Sequence, residues 1–361
     1  MTRNFIGSQS FKGRGSLSNP KVRFDSMHIE KSEDGWYQEE VSEAPSETVL
    51  PDRAKSVIST NDSPDVGFEQ SINPYRGCSH GCIYCFARPT HAYLGLSPGL
   101  DFETKLFYKQ DAAALLEKEL ARRNYVCKTI ALGINTDGYQ PLEKRLEVNR
   151  SILAVLARCR HPVTIVTKSA LVLRDLDLLS QLAEQQLVSV MLSMTSLQND
   201  IKRTLEPRTA SPQARLRVIH ELAAARVPVG VLVAPVIPAI TDHEMEDILA
   251  AAKSSGASSA GYVLLRLPHE VKTLFREWLA EHYPDRARHV MSLINQARGG
   301  KDYDSEFGTR MKGTGAYAEL LRTRFELAKR KLGLDDAEGR HELRTDLFSP
   351  PSNSSQLTLG F

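Results

Sequence analysis

The stretch Asn73-Pro-Tyr-Arg-Gly-Cys78-Ser-His-Gly-Cys82-Ile-Tyr-Cys85-Phe-Ala-Arg88 decides how this chain is read. Three of the five cysteines fall within eight of its residues, spaced C-x3-C-x2-C. Thiolates this close together suit zinc or iron–sulfur iron, because one short loop can wrap all three sulfurs onto one centre. Three ligands are one short of the four that a closed cluster or a structural zinc takes. The incomplete set leaves a coordination position open to a substrate or cofactor. The competing reading is a structural zinc with His80 as fourth ligand, although four ligands in one loop differ from the usual paired knuckles.

Outward from this loop, short Val/Ile/Leu-rich runs alternate with amphipathic stretches. Strands are expected at residues 68–72, 129–134, 163–167, 188–194, 229–234 and 260–265. Helices are expected at 112–123, 146–159, 173–186, 212–225 and 242–254, with Ser211 as an N-cap ahead of Pro212, and Thr241 or Asp242 capping the last. Strands without polar alternation suit a parallel sheet buried on both faces. Right-handed crossovers then give an open doubly wound sheet or an incomplete barrel. In both, chemistry gathers at the strand C-terminal ends. Those ends carry the cysteine loop, Asn135-Thr-Asp-Gly-Tyr-Gln-Pro141, Lys168-Ser169, Ser193 with Thr195 and Ser196, Pro235-Val-Ile-Pro238, and Arg266-Leu-Pro268.

The chain divides into an N-terminal extension (1–66), basic then acidic and partly disordered, a core (67–268), a C-terminal helical extension (269–333) and a flexible tail (334–361). Lys12-Gly-Arg14-Gly-Ser16 reads either as solvated tail or as an arm lying on nucleic-acid phosphates. Arg266, Lys301, Arg310 and Lys312 form a basic face or a nucleic-acid contact, with Tyr303, Phe307 and Tyr317 interleaved as stacking candidates. A net charge of +2 leaves any such affinity to local patches. The odd cysteine count argues for a reducing cytoplasm over a disulfide framework, and Cys127 and Cys159 read as packing residues. No apolar run reaches membrane-span length, so a cytoplasmic protein without membrane contact is expected.

C-x3-C-x2-C after the first strand of a βα repeat resembles the radical S-adenosylmethionine (SAM) superfamily. Asn73-Pro-Tyr-Arg-Gly-Cys78 before the motif and Tyr84-Cys-Phe-Ala-Arg-Pro89 after it resemble the spore photoproduct lyase-related branch, and within it the PA0069 family of radical SAM proteins. The resemblance implies an α/β fold, a partial (β/α)6 TIM-type barrel. It implies that Cys78, Cys82 and Cys85 hold three irons of a [4Fe-4S] cluster, with SAM on the fourth. Reductive cleavage of SAM would give a 5′-deoxyadenosyl radical that takes hydrogen from the substrate, with an electron donor such as flavodoxin or ferredoxin as partner. Tyr84 matches the position bordering the adenine, and Thr136 and Asp137 the place that holds the methionine amino group. Lys168 and Ser193 match positions for the methionine carboxylate and the ribose. One departure stands out. The lyase's hydrogen-donor cysteine has no counterpart in Ile134-Asn-Thr-Asp137, and Tyr139 is the nearest radical relay.

The C-terminal Gln356-Leu-Thr-Leu-Gly-Phe361 resembles the hexapeptide that docks into the bacterial sliding clamp. The resulting expectation is a radical SAM enzyme acting on nucleic acid, plausibly a DNA lesion. The alternatives are radical SAM modification of RNA, protein or a small molecule, and a non-catalytic iron–sulfur module for DNA binding or redox sensing.

Overall fold

Parallel pairing of short apolar strands organises the chain. The computed structural model describes residues 11–24, 46–334 and 343–351. In chain order the strands are β1 (Thr48–Pro51), β2 (Ile58–Thr60), β3 (Gln70–Ile72), β4 (Tyr75–Arg76), β5 (Lys105–Tyr108), β6 (Ile130–Leu132), β7 (Val163–Thr167), β8 (Val188–Met194), β9 (Val229–Val236) and β10 (Ser259–Leu264). The main sheet runs β10-β9-β8-β7-β6-β3-β2. Every pair from β3 to β10 is parallel, and β2 lies antiparallel on the outer edge of β3. These six parallel strands are the six expected from the apolar runs. β2 and β10 do not pair, so the sheet does not close into a full barrel. A small second sheet, β1-β5-β4, flanks the cysteine loop.

The helices are α1 (Leu100–Thr104), α2 (Ala112–Leu120), α3 (Glu143–Leu146), α4 (Val148–Arg158), α5 (Leu176–Ala183), α6 (Asn199–Leu205), α7 (Pro212–Ala224), α8 (Met245–Ser254), α9 (Val271–His282), α10 (Ala287–Gln296) and α11 (Gly315–Lys331). In α4, Ile152, Leu153, Val155 and Leu156 are buried in the principal core, as the helical period requires. Ser211 caps α7, its hydroxyl accepting from the Ala214 N–H at 3.2 Å, with Pro212 at the first turn. The cap expected at Thr241 or Asp242 is not made, because the Thr241 hydroxyl accepts from the Ile237 N–H at 2.9 Å instead. A 3-10 turn over Asp242–Glu244 therefore precedes α8. No helix among the described residues is long and apolar enough to cross a membrane.

Two segments read as loose from composition are packed where they are described. Residues 46–66 contribute β1 and β2, and the Glu119 carboxylate accepts the Val57 and Ile58 N–H groups at 2.7 and 3.2 Å. Residues 343–351 lie across the strand N-terminal ends. There Phe348 packs on Tyr125 and His161, and the Ser349 N–H donates to the Cys159 carbonyl at 2.9 Å. The basic segment 11–24 lies against the cysteine loop, and Gln356–Phe361 fall outside the described residues.

A second apolar cluster joins the C-terminal helices to that loop. Ile83 and Tyr84 pack with Leu205, Ile237, Leu267, Phe275 and Trp278. Trp278 is fully buried, stacks on Phe275 at 5.6 Å, and donates its indole N–H to the Thr204 carbonyl at 3.2 Å. Trp278→Ala is expected to cost about 3–5 kcal/mol, read as a lowered urea midpoint with unchanged slope.

Candidate functional site

The cysteine loop leaves β3, passes through β4 and is held from several sides. The Cys78 N–H donates to the Phe102 carbonyl at 2.9 Å and the Ile83 N–H to the Leu205 carbonyl at 3.0 Å. Gln140, fully buried, clamps the first turn: its Oε1 accepts the Ser79 N–H at 2.9 Å and its Nε2 donates to the Gly77 carbonyl at 3.2 Å. Gly81 turns the loop at φ 71°, a conformation that favours glycine.

Arg88, fully buried, gathers the loop's carbonyls. It donates to Cys82 at 2.9 Å, Gly81 at 3.2 Å, Pro98 at 3.1 Å and Gly99 at 2.9 Å, and pairs with the Glu103 carboxylate at 2.5 Å. Glu103 in turn accepts the Gly15 and Ser16 N–H groups at 3.0 and 2.9 Å. Arg14 donates to the Glu103 carbonyl at 3.1 Å and lies 3.6 Å from Glu47. The segment 12–16 is therefore neither a free tail nor a free phosphate-binding arm; it is a strap on the outside of the loop. A Cβ on Gly15 would sit 1.8 Å from the Gly81 carbonyl oxygen.

Cys78 and Cys82 are buried and Cys85 partly exposed, and none forms a disulfide. Burial pushes all three thiols above the ordinary range, and the charges of Cys82 and Cys85 push Cys78 further. Three thiols gathered in one buried loop suit a cationic metal, whose charge would reverse the cost of the thiolates. The Ser79 hydroxyl, next to Cys78, is buried with no hydrogen-bond partner among the described residues. His80 does not complete a zinc site: its Nδ1 lies 3.4 Å from the Asp137 carboxylate, and burial lowers its pKa to about 4. Among the described residues no three His, Cys, Asp or Glu side chains converge on one ion.

The strand ends meet this loop in one hydrogen-bonded network. Asp137 accepts from the Tyr139 N–H at 2.9 Å, the Thr167 hydroxyl at 2.8 Å and the Lys168 N–H at 2.8 Å. The Lys168 ammonium donates to the Ser193 hydroxyl at 2.6 Å and lies 5.9 Å from the Tyr84 ring centroid. Tyr84 donates to Glu206, which also receives the Thr195 hydroxyl at 2.7 Å and pairs with buried Arg215. Burial would raise the Glu206 carboxyl, but Arg215 and Lys168 outweigh it and hold it at about 2.

The structure thus brings Cys78, Cys82, Cys85, Tyr84, Asp137, Lys168 and Ser193 together. Thr136 is adjacent, its hydroxyl committed to the Tyr75 carbonyl at 2.9 Å. Tyr139 points away, buried in the principal core, where burial and then Asp175 and Glu143 raise its phenol pKa. Sequence reasoning assigned no role to Glu206, Arg215, Arg88, Glu103 or Gln140. One signal was present: Arg215 lies three, four and seven residues before Val218, Ile219 and Leu222, on the buried face of α7.

The family model of the radical SAM superfamily matches residues 72–252. The chain belongs to the radical SAM superfamily. An uncharacterised protein of Mycobacterium tuberculosis is 40% identical over 231 residues, covering 63% of this chain and 68% of the relative. An uncharacterised protein of Methanocaldococcus jannaschii is 26% identical over 238 residues, covering 64% and 83%. Among solved structures, spore photoproduct lyase complexed with dinucleoside spore photoproduct matches with a TM-score of 0.57 and 16% identity over 79% of each chain. That likeness is one of fold. The cofactors of a radical SAM protein are SAM and a [4Fe-4S] cluster, and the buried thiols, the unpartnered Ser79 hydroxyl and the polar strand ends fit them.

Gly15→Ala is expected to displace the strap from Gly81 and loosen the cysteine loop. Anaerobically reconstituted variant protein should retain less than half the iron and sulfide of the native chain, while its far-ultraviolet circular dichroism is unchanged. Full iron retention would show that the strap does not support the loop.

Proposed function

We propose that this radical SAM enzyme takes a hydrogen atom from a nucleic-acid substrate, a DNA lesion foremost. Cys78, Cys82 and Cys85 hold three irons of the cluster and leave the fourth for the amino and carboxylate groups of SAM. Bound together, cluster and SAM supply a 5′-deoxyadenosyl radical. The observation that carries this reading is the joining of Asp137, Lys168, Ser193 and Tyr84 beside the cysteine loop at the strand C-terminal ends. Lys168 offers its charge to the SAM carboxylate, and Ser193, on β8, reaches the same ammonium and suits the ribose. Asp137 would take the amino group, with Thr136 beside it holding the Tyr75 carbonyl. Tyr84, fixed by Glu206 and Thr195, borders the adenine.

The nucleic-acid part draws on two supports. One is the fold likeness to spore photoproduct lyase, whose solved complexes hold a dinucleoside photoproduct. The other is Phe86, which directly follows Cys85, is 40% exposed and has the Arg266 guanidinium 5.2 Å from its ring centroid. An exposed aromatic backed by a cation is a stacking platform for a base. Hydrogen return must differ from the lyase's own route. Cys127 precedes β6, at the far end of the sheet from the loop, and burial pushes its thiol up to about 11. A flavodoxin or ferredoxin supplies the electron. Gln356–Phe361 tethers the enzyme to a sliding clamp, and residues 343–351 start that tail on the face opposite the site.

Anaerobically reduced protein should convert SAM to 5′-deoxyadenosine, and Cys82→Ala should drop the yield to background; undiminished cleavage by this variant sinks the assignment. Deuterium carried from labelled, lesion-bearing DNA into 5′-deoxyadenosine would establish the substrate class. Transfer from RNA, peptide or small molecule instead would replace it. Removal of residues 356–361 should abolish clamp binding in a pull-down, and unchanged binding rejects the tether.

A further inference from the structure

The Gly-rich turn beside the edge strand β10 carries a cavity that the cysteine-loop site does not use. Its volume is about 220 Å³, and its lining includes Tyr262, Lys312, Thr314, Gly315, Glu319 and Arg322. It opens at the N-terminus of α11, a helix of 17 residues. Thr314, the residue before the helix, makes no side-chain cap hydrogen bond, and the first turn holds no acidic residue. The helix start therefore keeps unsatisfied N–H groups and the positive end of its dipole facing the cavity.

A second observation is independent of the helix. Tyr262 is 5% exposed and lines the cavity, and its hydroxyl is buried with no hydrogen-bond partner among the described residues. Burial pushes this phenol up to about 12, with Arg322 pulling the other way, so it stays a proton donor at neutral pH. A buried O–H without an acceptor calls for one. The cations tell the same story. Among the described residues neither Lys312 nor Arg322 is in an ion pair, and the Lys312 ammonium sits 5.6 Å from the Tyr262 ring centroid. Their neighbours along the chain are committed: Arg310 pairs with Asp65 and Arg324 with Glu246. With Glu319 in the lining, two cations and one carboxylate leave a single net positive charge, matched to a monoanion.

The cavity is also strung to the mouth of the site. Met311, next to Lys312, accepts the Leu264 N–H at 2.9 Å through its carbonyl, and its sulfur lies 3.5 Å from Arg266. Arg266 is the residue over Phe86. We infer that this cavity is a phosphate subsite, taking a backbone phosphodiester of the substrate while the adjoining nucleotide approaches the cysteine loop. The inference rests on the nucleic-acid reading above and extends it to a named set of residues. A free phosphomonoester, such as a 5′-mononucleotide, presents the same chemistry from a second source.

The test uses full-length reconstituted protein and three probes: inorganic phosphate, a 5′-mononucleotide and a fluorescent single-stranded oligonucleotide titrated at several salt concentrations. The Lys312→Ala/Arg322→Ala double variant, altered only at exposed side chains, is expected to bind the oligonucleotide about tenfold more weakly, with a salt slope reduced by about 1. Tyr262→Phe should weaken binding by a smaller factor and leave the slope unchanged. If native protein binds phosphate and mononucleotide but no oligonucleotide, and the double variant loses both, the subsite stands and the polynucleotide reading falls. Undiminished binding of every probe by the double variant overturns the subsite, whatever the SAM-cleavage assay shows.

Discussion

Arg88 and Glu103 meet with both side chains fully buried, and the cysteine loop is built over that pair. Two unscreened charges in a dry environment are tolerable only when their remaining donors and acceptors are also used. Here they are used around the loop: the guanidinium takes the Gly81 and Cys82 carbonyls in the loop and those of Pro98 and Gly99 ahead of α1, and the carboxylate takes the two strap N–H groups. The consequence is rigidity at the place where three thiolates must be presented together. Removing either partner would strand the other charge, a change that typically costs about 3–5 kcal/mol. The loop, the 3-10 helix Arg88–Leu94 after it and the N-terminal strap therefore stand or fall as one unit.

A second buried pair, Glu206 with Arg215, does for the strand ends what the first does for the loop. It fixes the Tyr84 hydroxyl and receives Thr195, so the ring beside Cys85 keeps one orientation. It also holds a full negative charge near Lys168. Each pair is local in sequence, but the groups it fixes are not: Glu103 receives Ser16 from the strap, and Glu206 receives Tyr84 from the cysteine loop. The site consequently joins local sequence, the cysteines with Tyr84 and Arg88, to groups that the folded sheet brings from distant strand ends.

That division explains what could be read from the chain. The six parallel strands follow from apolar runs whose length and spacing admit few other arrangements, and the cysteine spacing pointed to the metal class. Residues 11–24 were opaque because a strap made of Gly, Ser and Arg carries no apolar period; its order comes from Glu103, 87 residues beyond Ser16. Arg88 and Arg215 were missed for a related reason. Composition assigns arginine to the surface, and only tertiary context reveals one paired in the interior. The caps divide the same way. Ser211 acts within its own helix turn and was legible, whereas Thr241 was drawn to Ile237 by a local turn that helix signals do not report.

The sheet separates anchoring from chemistry by its two ends. Across the strand N-terminal ends Tyr125, His161 and Phe348 pack as an aromatic cluster, with the Tyr125 hydroxyl 2.7 Å from His161 Nε2. Strand C-terminal ends carry the cysteine loop and the Asp137–Lys168–Ser193 network. Between β2 and β10 the sheet is not closed, and the Gly-rich turn covers the β10 side through the Met311 carbonyl. A parallel sheet that stops short of closure leaves its edges to other segments, and here Asp65, between β2 and β3, pairs with Arg310 of that turn. The aromatic and basic residues that composition scattered over 260–325 therefore matter only where the fold leaves them uncommitted. Tyr317 is spent on Asp242 and Arg310 on Asp65, whereas Phe86, Lys301, Phe307, Lys312 and Arg322 stay exposed.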